Sequence, residues 1–278
     1  MSYKRLLTIQ DISCFGQCSL TVALPIISAC GVETCIIPSA VLSTHTGGFT
    51  GFTFRDLTDD IPAIQKHWEK ENISFDAIYT GYLGSIRQIN MVKDIFASFG
   101  KNGALKIVDP AMADNGKLYY GFDEKFASEM ASLCAEADIV LPNITEACFM
   151  TGFEYKPEYD EAYVASLLAA LEAKGIKNVV MTGVGYDPES TGAVVKKGGS
   201  VRYYKHRRIP GGCHGTGDVF ASAFSGALMN GFDEYDSARI AADYTLSCIE
   251  KTFGDENHKY GVKFELAIPE LIKMLGKG

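Results

Sequence analysis

The chain has no long hydrophobic run. No stretch approaches ~20 consecutive apolar residues, and Met1 to Gln10 contain no apolar segment of signal-peptide length. A cytoplasmic location is therefore expected. The cysteines (Cys14, Cys18, Cys30, Cys35, Cys134, Cys148, Cys213 and Cys248) include no C-x-x-C and no finger or ribbon spacing. Structural zinc sites of those kinds are excluded, and in a cytoplasmic protein the thiols stay reduced. Basic residues are in deficit, with 26 Lys+Arg against 34 Asp+Glu for a formal net charge of −8. Nucleic-acid binders carry a basic surplus, so that class of partner is not expected. A small anionic ligand is not excluded, because a pocket can be positive on an acidic protein. There is no G-x-x-x-x-G-K-[ST], which removes the P-loop enzymes, and no G-x-G-x-x-G opens a helix after the first apolar run. No repeat of ~20–50 residues, low-complexity tract or Pro/Ser-rich linker divides the sequence. One domain over residues 1–278 is expected.

Hydrophobic residues are 47 % and charged residues 22 %, as in an ordinary globular protein. Short β-branched runs read as buried strands at Leu6–Gln10, Thr34–Pro38, Ala77–Thr80, Leu105–Asp109, Ile139–Pro142 and Val179–Thr182. Helix-period segments lie between them at Ser19–Cys30, Thr58–Glu71, Ser85–Phe99, Asp123–Glu136, Thr145–Thr151 and Glu158–Lys174. This βαβ rhythm predicts an α/β fold with a mostly parallel sheet covered on both faces. Thr191 to His206 reads as a hairpin around Gly198-Gly199, giving an antiparallel edge. A small-residue helix from Val219 and a further helix at Asp236–Lys251 follow.

The sharpest local feature is Gly211-Gly-Cys-His-Gly-Thr-Gly-Asp218, which opens the small-residue helix. Its glycines let backbone N–H groups turn toward a ligand, and a helix N-terminus adds positive potential, so the loop suits an anion. Asp218 in the first turn is a candidate base for a substrate hydroxyl. On generic physics alone, a glycine turn with a first-turn charge is the plainer reading. Ligands in open α/β sheets lie beyond the carboxyl ends of strands. There Asp109 and Glu146 are candidate Mg²⁺ residues acting through water. Asn143 is a third Mg²⁺ candidate, a phosphate contact, or the cap of a box completed by Glu146. Thr182 and Gly183 end another strand in a form suited to phosphate. Near the start, the segment containing Asp11, Cys18 and Ser19, the loop of His45-Thr46-Gly47, and Thr80-Gly-Tyr82 should converge on one rim and form a pocket. Ser19 is the expected cap of the first helix, and His45 reads as structural. Gly211-Gly-Cys-His-Gly215 also matches G-x-C-x-G, a cysteine form of the hydrolase elbow, although an elbow follows its strand directly.

Taken together the motifs resemble the ribokinase superfamily, and more closely its pyridoxal/pyridoxamine kinase branch, over essentially the whole chain. Gly215-Thr-Gly-Asp218 matches that superfamily's catalytic loop, Asn143-Ile-Thr-Glu146 its N-x-x-E motif, and Asp109-Pro110 its strand-ending pair. Ile9-Gln10, His45-Thr46-Gly47 and Thr80-Gly81-Tyr82 match the vitamin-kinase branch. The resemblance implies a ribokinase-like three-layer α/β/α fold and transfer of the ATP γ-phosphoryl to the 5′-hydroxymethyl group of a B6 vitamer. It assigns Asp218 as base, with Gly215, Thr216 and Gly217 as anion hole. It assigns Asp11, Cys18, Thr46, Tyr82 and Cys213 to the vitamer. Asp109, Asn143, Thr182, Gly183, Gly215 and Gly217 fall to ATP, and Asp109 and Glu146 to Mg²⁺. It also implies a homodimer and leaves a monovalent cation such as K⁺ open. One departure is Asp11, where many such kinases carry Ser. An Asp there suits a protonated ring nitrogen or an amine. Hydroxymethylpyrimidine kinases are the related alternative, but their Gly-Gly-Ala-Gly segment is missing. Two other classes stay open: a cysteine hydrolase, and a vitamer-binding protein without catalysis. Cys213 could also add to the aldehyde of pyridoxal if the helix end raised its thiolate fraction; a loop residue without chemistry is the plainer reading.

Overall fold

The computed structural model describes residues 3–211 and 213–277; Gly212, in the middle of the glycine-rich loop, lies outside the described residues. The chain begins with β1 (Arg5–Ser13), α1 (Leu20–Ala29), β2 (Glu33–Leu42), β3 (Phe54–Asp56), α2 (Ile61–Lys70), β4 (Ala77–Thr80), α3 (Ile86–Phe99) and β5 (Leu105–Val108). A small hairpin, β6 (Ala113–Asp114) and β7 (Lys117–Leu118), precedes α4 (Glu124–Cys134), β8 (Ile139–Val140), α5 (Ile144–Thr151), α6 (Glu161–Ala173) and β9 (Val179–Val184). Then come β10 (Ser190–Lys197), β11 (Ser200–Arg207), α7 (Thr216–Met229), α8 (Glu234–Thr252) and α9 (Ile268–Met274).

The main sheet runs β11-β10-β9-β8-β5-β4-β1-β2-β3. The pairs from β9 through β8, β5, β4 and β1 to β2 are parallel, while β10, β11 and β3 pair antiparallel. Side chains alternate across the sheet, which splits the core in two. Leu7, Ile9, Ile78 and Val108 pack with Ile89, Val92, Met130, Ala147 and Leu167 from α3, α4, α5 and α6. Leu6, Tyr79 and Ile107 face the other way, onto Val22, Ala23, Phe224, Ala241 and Tyr244 of α1, α7 and α8. The three-layer α/β/α architecture and the antiparallel edge hairpin are as expected. Gly226 shows why α7 is rich in small residues, since a Cβ there would lie 2.4 Å from the Cys30 sulfur. α7 and the end of α1 touch there only because nothing protrudes.

Several boundaries differ from the sequence reading. β8 stops at Val140 rather than Pro142. Pro142 has no N–H to donate, although Leu141 still donates to Val108 O (2.9 Å). α2 starts at Ile61 rather than Thr58, because the Thr58 N–H is taken by the Asp56 carboxylate (2.7 Å). Ser19 is not a side-chain cap. Its φ of 57° turns it out of the helical path, and its backbone carbonyl starts α1 by accepting from Val22 (3.0 Å) and Ala23 (2.9 Å).

Candidate active site

Chain order reverses about β1, with β2 on one side and β4 on the other, and ligand crevices form at the carboxyl side of such a switch. A cavity of about 690 Å³ opens there. It is lined by Asp11, Cys18, Thr46, Tyr82, Asp109, Asn143, Glu146, Thr182, Gly183, Cys213 and the run Gly215 to Asp218, so the residues given a catalytic, substrate, ATP or metal role from the sequence meet in one place. Neighbouring strands deliver them in sheet order: Asp11 from β1, Tyr82 after β4, Asp109 after β5, Asn143 after β8 and Thr182 from β9. The β1–β2 register slips between Gln10 and Ile12, next to Asp11. Such irregularities beside a site re-aim side chains.

The glycine loop is locked by its neighbours. Gly215 sits at φ 76°, and a Cβ on it would lie 1.8 Å from the Gln17 carbonyl oxygen. Only glycine therefore gives this left-handed entry into α7. Asp218 follows in the first helical turn. Burial pushes its carboxyl up to about 7, with a smaller push from the Asp11 charge and an opposing pull from the Ser19 backbone N–H. The unusual conformation of Ser19 thereby gains a purpose the sequence did not disclose. Its backbone N–H favours the ionised form of Asp218, and its hydroxyl favours that of Asp11. Asp11 is buried, accepts the Ser13 hydroxyl (3.0 Å), and is raised by desolvation.

A second acidic pair lies across the cavity. Burial raises Asp109 well above the carboxylate range, and the charges of Glu146 and Asp218 add to this. Glu146 is pushed up to about 7 by burial, against the pull of backbone N–H donors. The capping box is complete: Asn143 Oδ1 accepts Glu146 N (2.9 Å) and Glu146 Oε2 accepts Asn143 N (2.9 Å). Glu146 Oε1 also accepts Met112 N (3.0 Å), and Asn143 Nδ2 donates to Ala113 O (2.8 Å). These two side chains thus build the frame as well as line the cavity.

His45 also lines the cavity, and its ring nitrogens are both engaged. Nδ1 accepts the Gly47 N–H (3.1 Å), so Nε2 carries the hydrogen donated to Tyr260 O (2.9 Å). Desolvation lowers its pKa, consistent with this neutral tautomer. Its position supports the structural reading, as the post that ties the Thr46–Gly47 loop to the C-terminal segment. His214, Tyr119 and Tyr120 line the cavity as well and were not foreseen. The tyrosines directly follow the β6–β7 hairpin, whose two-residue strands are too short to leave a periodic signal. Cys213 departs from one expectation, because burial raises its thiol pKa and the thiol form dominates. The hydrolase elbow finds no support either: β11 ends at Arg207, so Cys213 does not follow its strand directly.

Fold and glycine-loop site together define a small-molecule kinase of the ribokinase-like class. The family model described as phosphomethylpyrimidine kinase matches residues 23–263, and the chain belongs to that family. A crystal structure from Bacteroides thetaiotaomicron, named as a phosphomethylpyrimidine kinase and determined with pyridoxal, is 37 % identical with a TM-score of 0.90, covering 97 % of this chain and 96 % of that one. Pyridoxal kinase from Lactobacillus plantarum is 29 % identical with a TM-score of 0.89, covering 98 % of each chain. Hydroxymethylpyrimidine/phosphomethylpyrimidine kinase from Bacillus subtilis is 26 % identical over 253 residues, covering 89 % of this chain and 83 % of that protein. The relatives thus carry both names, pyridoxal kinase and hydroxymethylpyrimidine kinase. Among the described residues, no helix is long and apolar enough to cross a membrane.

Proposed function

We propose that this protein transfers the γ-phosphoryl group of ATP to the 5′-hydroxymethyl group of a B6 vitamer, with residues 1–278 acting as one catalytic domain. The observation that carries this reading is that Asp218 lines the cavity from the first turn of α7, directly after the left-handed glycine entry. Asp11, Thr46 and Tyr82 orient the ring, with Cys18 and Cys213 beside it. Asp218 accepts the proton of the hydroxymethyl group as its oxygen attacks phosphorus. Its raised pKa suits proton transfer near neutrality. The N–H groups of Gly215, Thr216 and Gly217, at the positive end of α7, stabilise charge on the transferring phosphoryl group. Thr182, Gly183, Asn143 and Asp109 meet the ATP phosphates. The paired relatives with pyridoxal in their descriptions support the choice of ring substrate.

A divalent cation fits this site. The cavity lining carries Asp11, Asp109, Asp114, Glu146 and Asp218 and, among the described residues, no Lys or Arg. A polyphosphate entering such surroundings needs added positive charge. Asp109 and Glu146 would hold Mg²⁺, Glu146 through water because both its oxygens already accept backbone N–H groups. Bound there, the cation neutralises phosphate charge.

The family match and the Bacillus subtilis relative favour a second reading, phosphorylation of hydroxymethylpyrimidine. The test incubates the protein with MgATP and, separately, pyridoxal, pyridoxamine, pyridoxine and hydroxymethylpyrimidine, and detects phosphate esters by mass spectrometry. A vitamer 5′-phosphate formed with the highest kcat/KM supports the proposal. Preference for the pyrimidine replaces it with the second reading. Ester hydrolysis without ATP, or vitamer binding without turnover, rejects both.

A further inference from the structure

Behind Asp218, on the side away from the cavity, lies a group of buried polar atoms with no evident purpose. β1 and β4 pair so that Thr8 stands opposite Tyr79. Alternation puts Thr8, Gln10 and Tyr79 on the sheet face that packs under α1 and α7. All three are fully buried, as is Ser222 of α7. Gln10 is wedged in place: its Nε2 donates to Thr8 Oγ1 (2.9 Å), and a Cβ on Gly81 would come within 2.6 Å of its Oε1. Ser222 donates its hydroxyl hydrogen to the carbonyl oxygen of Asp218 (2.5 Å). The Tyr79 hydroxyl faces both Gln10 and Ser222 and feels the charges of Asp109 and Asp218. Yet among the described residues Tyr79 Oη and Gln10 Oε1 have no hydrogen-bond partner.

Two orphaned polar atoms facing one another in a core are unstable as they stand, since each unmade hydrogen bond costs about 1–3 kcal/mol. The unused valences fit one small partner. Tyr79 has a hydrogen to give, Gln10 Oε1 accepts, and Ser222 Oγ, its own hydrogen spent on Asp218, accepts as well. A single water would receive from Tyr79 and give to Gln10 and Ser222, making the typical number of bonds for a buried water. We infer that Tyr79 is a positioning residue: through one bridging water and Ser222 it holds the backbone of Asp218, and so fixes the aim of the carboxylate from behind. Tyr79 touches neither the ring pocket nor the phosphate loop. Its effect falls on turnover rather than on binding.

The role rests on Asp218 being the base proposed above, but the structural and thermal measurements below do not. The test is Tyr79→Phe, which removes one oxygen and keeps the ring. Catalysis is normalised to the fraction of protein competent to bind ADP, so misfolded molecules are not counted. The expected result is a loss of kcat of ~10-fold or more, within the ~100-fold that a 1 Å misplacement costs. KM for vitamer and for ATP should stay within about twofold of wild type, and Tm should fall by about 2–4 °C. Ser222→Ala should give a similar loss of kcat, and the double variant no more than the larger single loss, because both act through one water. A high-resolution crystal structure of the wild type should show a water bonded to Tyr79 Oη, Gln10 Oε1 and Ser222 Oγ. Wild-type kcat in Tyr79→Phe together with an equal or higher Tm, as expected when a useless buried hydroxyl is removed, overturns the inference. So does a direct Tyr79–Gln10 hydrogen bond with no water between. A wild type that phosphorylates nothing refutes the proposed function and with it the catalytic role, and the water and Tm then decide whether the bridge from Tyr79 to the Asp218 backbone exists.

Discussion

Replacing Asp218 by Asn separates the charge of the carboxyl from its shape. The amide has the shape of the carboxyl, so the loop should stay in place, but it cannot accept a proton. The carboxyl stands at about 7 instead of the ordinary 3.8, with burial the main cause. At about 1.4 kcal/mol per pH unit, ionising it inside the folded chain costs up to about 4 kcal/mol. The open side of the cavity makes this an upper limit. Two results follow. A base matched to neutral pH contributes ~10²–10⁴ in rate, so kcat should fall by that factor while KM changes little. The stability effect runs the opposite way. A carboxyl whose folded pKa is raised contributes stability below its unfolded pKa, and loses it as pH rises toward about 7. Asn does not titrate. Asp218→Asn should therefore melt higher than wild type at pH 8, with the gain fading toward pH 4. Initial rates with saturating MgATP and vitamer, and calorimetry across that pH range, check both. Turnover within about tenfold of wild type, or a variant less stable at pH 8, refutes the reasoning.

Gly215→Ala should abolish activity, with kcat down by more than ~100-fold in steady-state assays, because its Cβ would collide with the Gln17 carbonyl at 1.8 Å and the left-handed φ is strained. Glu146→Gln places an amide against backbone N–H donors at Met112 and Asn143. It should cost about 1–3 kcal/mol, seen as a lower melting temperature, together with a raised KM for ATP. Cys213→Ala should leave kcat/KM within about twofold for pyridoxal and pyridoxine alike, since burial disfavours the thiolate. A selective loss with the aldehyde would contradict that. Asp11→Ser removes a buried carboxylate facing the ring pocket. It should raise KM for pyridoxamine, which carries an added amine, more than KM for pyridoxine in a side-by-side titration.

Much of the site was legible because its parts sit where strands end. Asp11, Tyr82, Asp109, Asn143 and Thr182 follow strands that are short, apolar and continuous, and a parallel sheet must bring their carboxyl ends to one rim. The glycine loop announced itself by composition. What stayed hidden depends on contacts between distant segments. Ser19 looked like a side-chain cap, and only its left-handed φ shows that its carbonyl starts α1 instead. His45 is explained by Tyr260, far along the chain. The three residues of β3 are all exposed and carry no alternation to read. Gln10 and Gly81 read as separate family marks. The structure makes them one feature, because a side chain at Gly81 would displace the Gln10 amide.

The central claim is that Asp218 and the glycine loop move phosphate onto a ring hydroxymethyl group. Phosphorus NMR of the protein with MgATP and pyridoxal tests it most directly. A phosphate monoester signal should grow in step with ADP, at a rate that collapses in Asp218→Asn. ATP left intact beside pyridoxal and hydroxymethylpyrimidine alike, or consumed to free phosphate with no ester formed, would contradict the account.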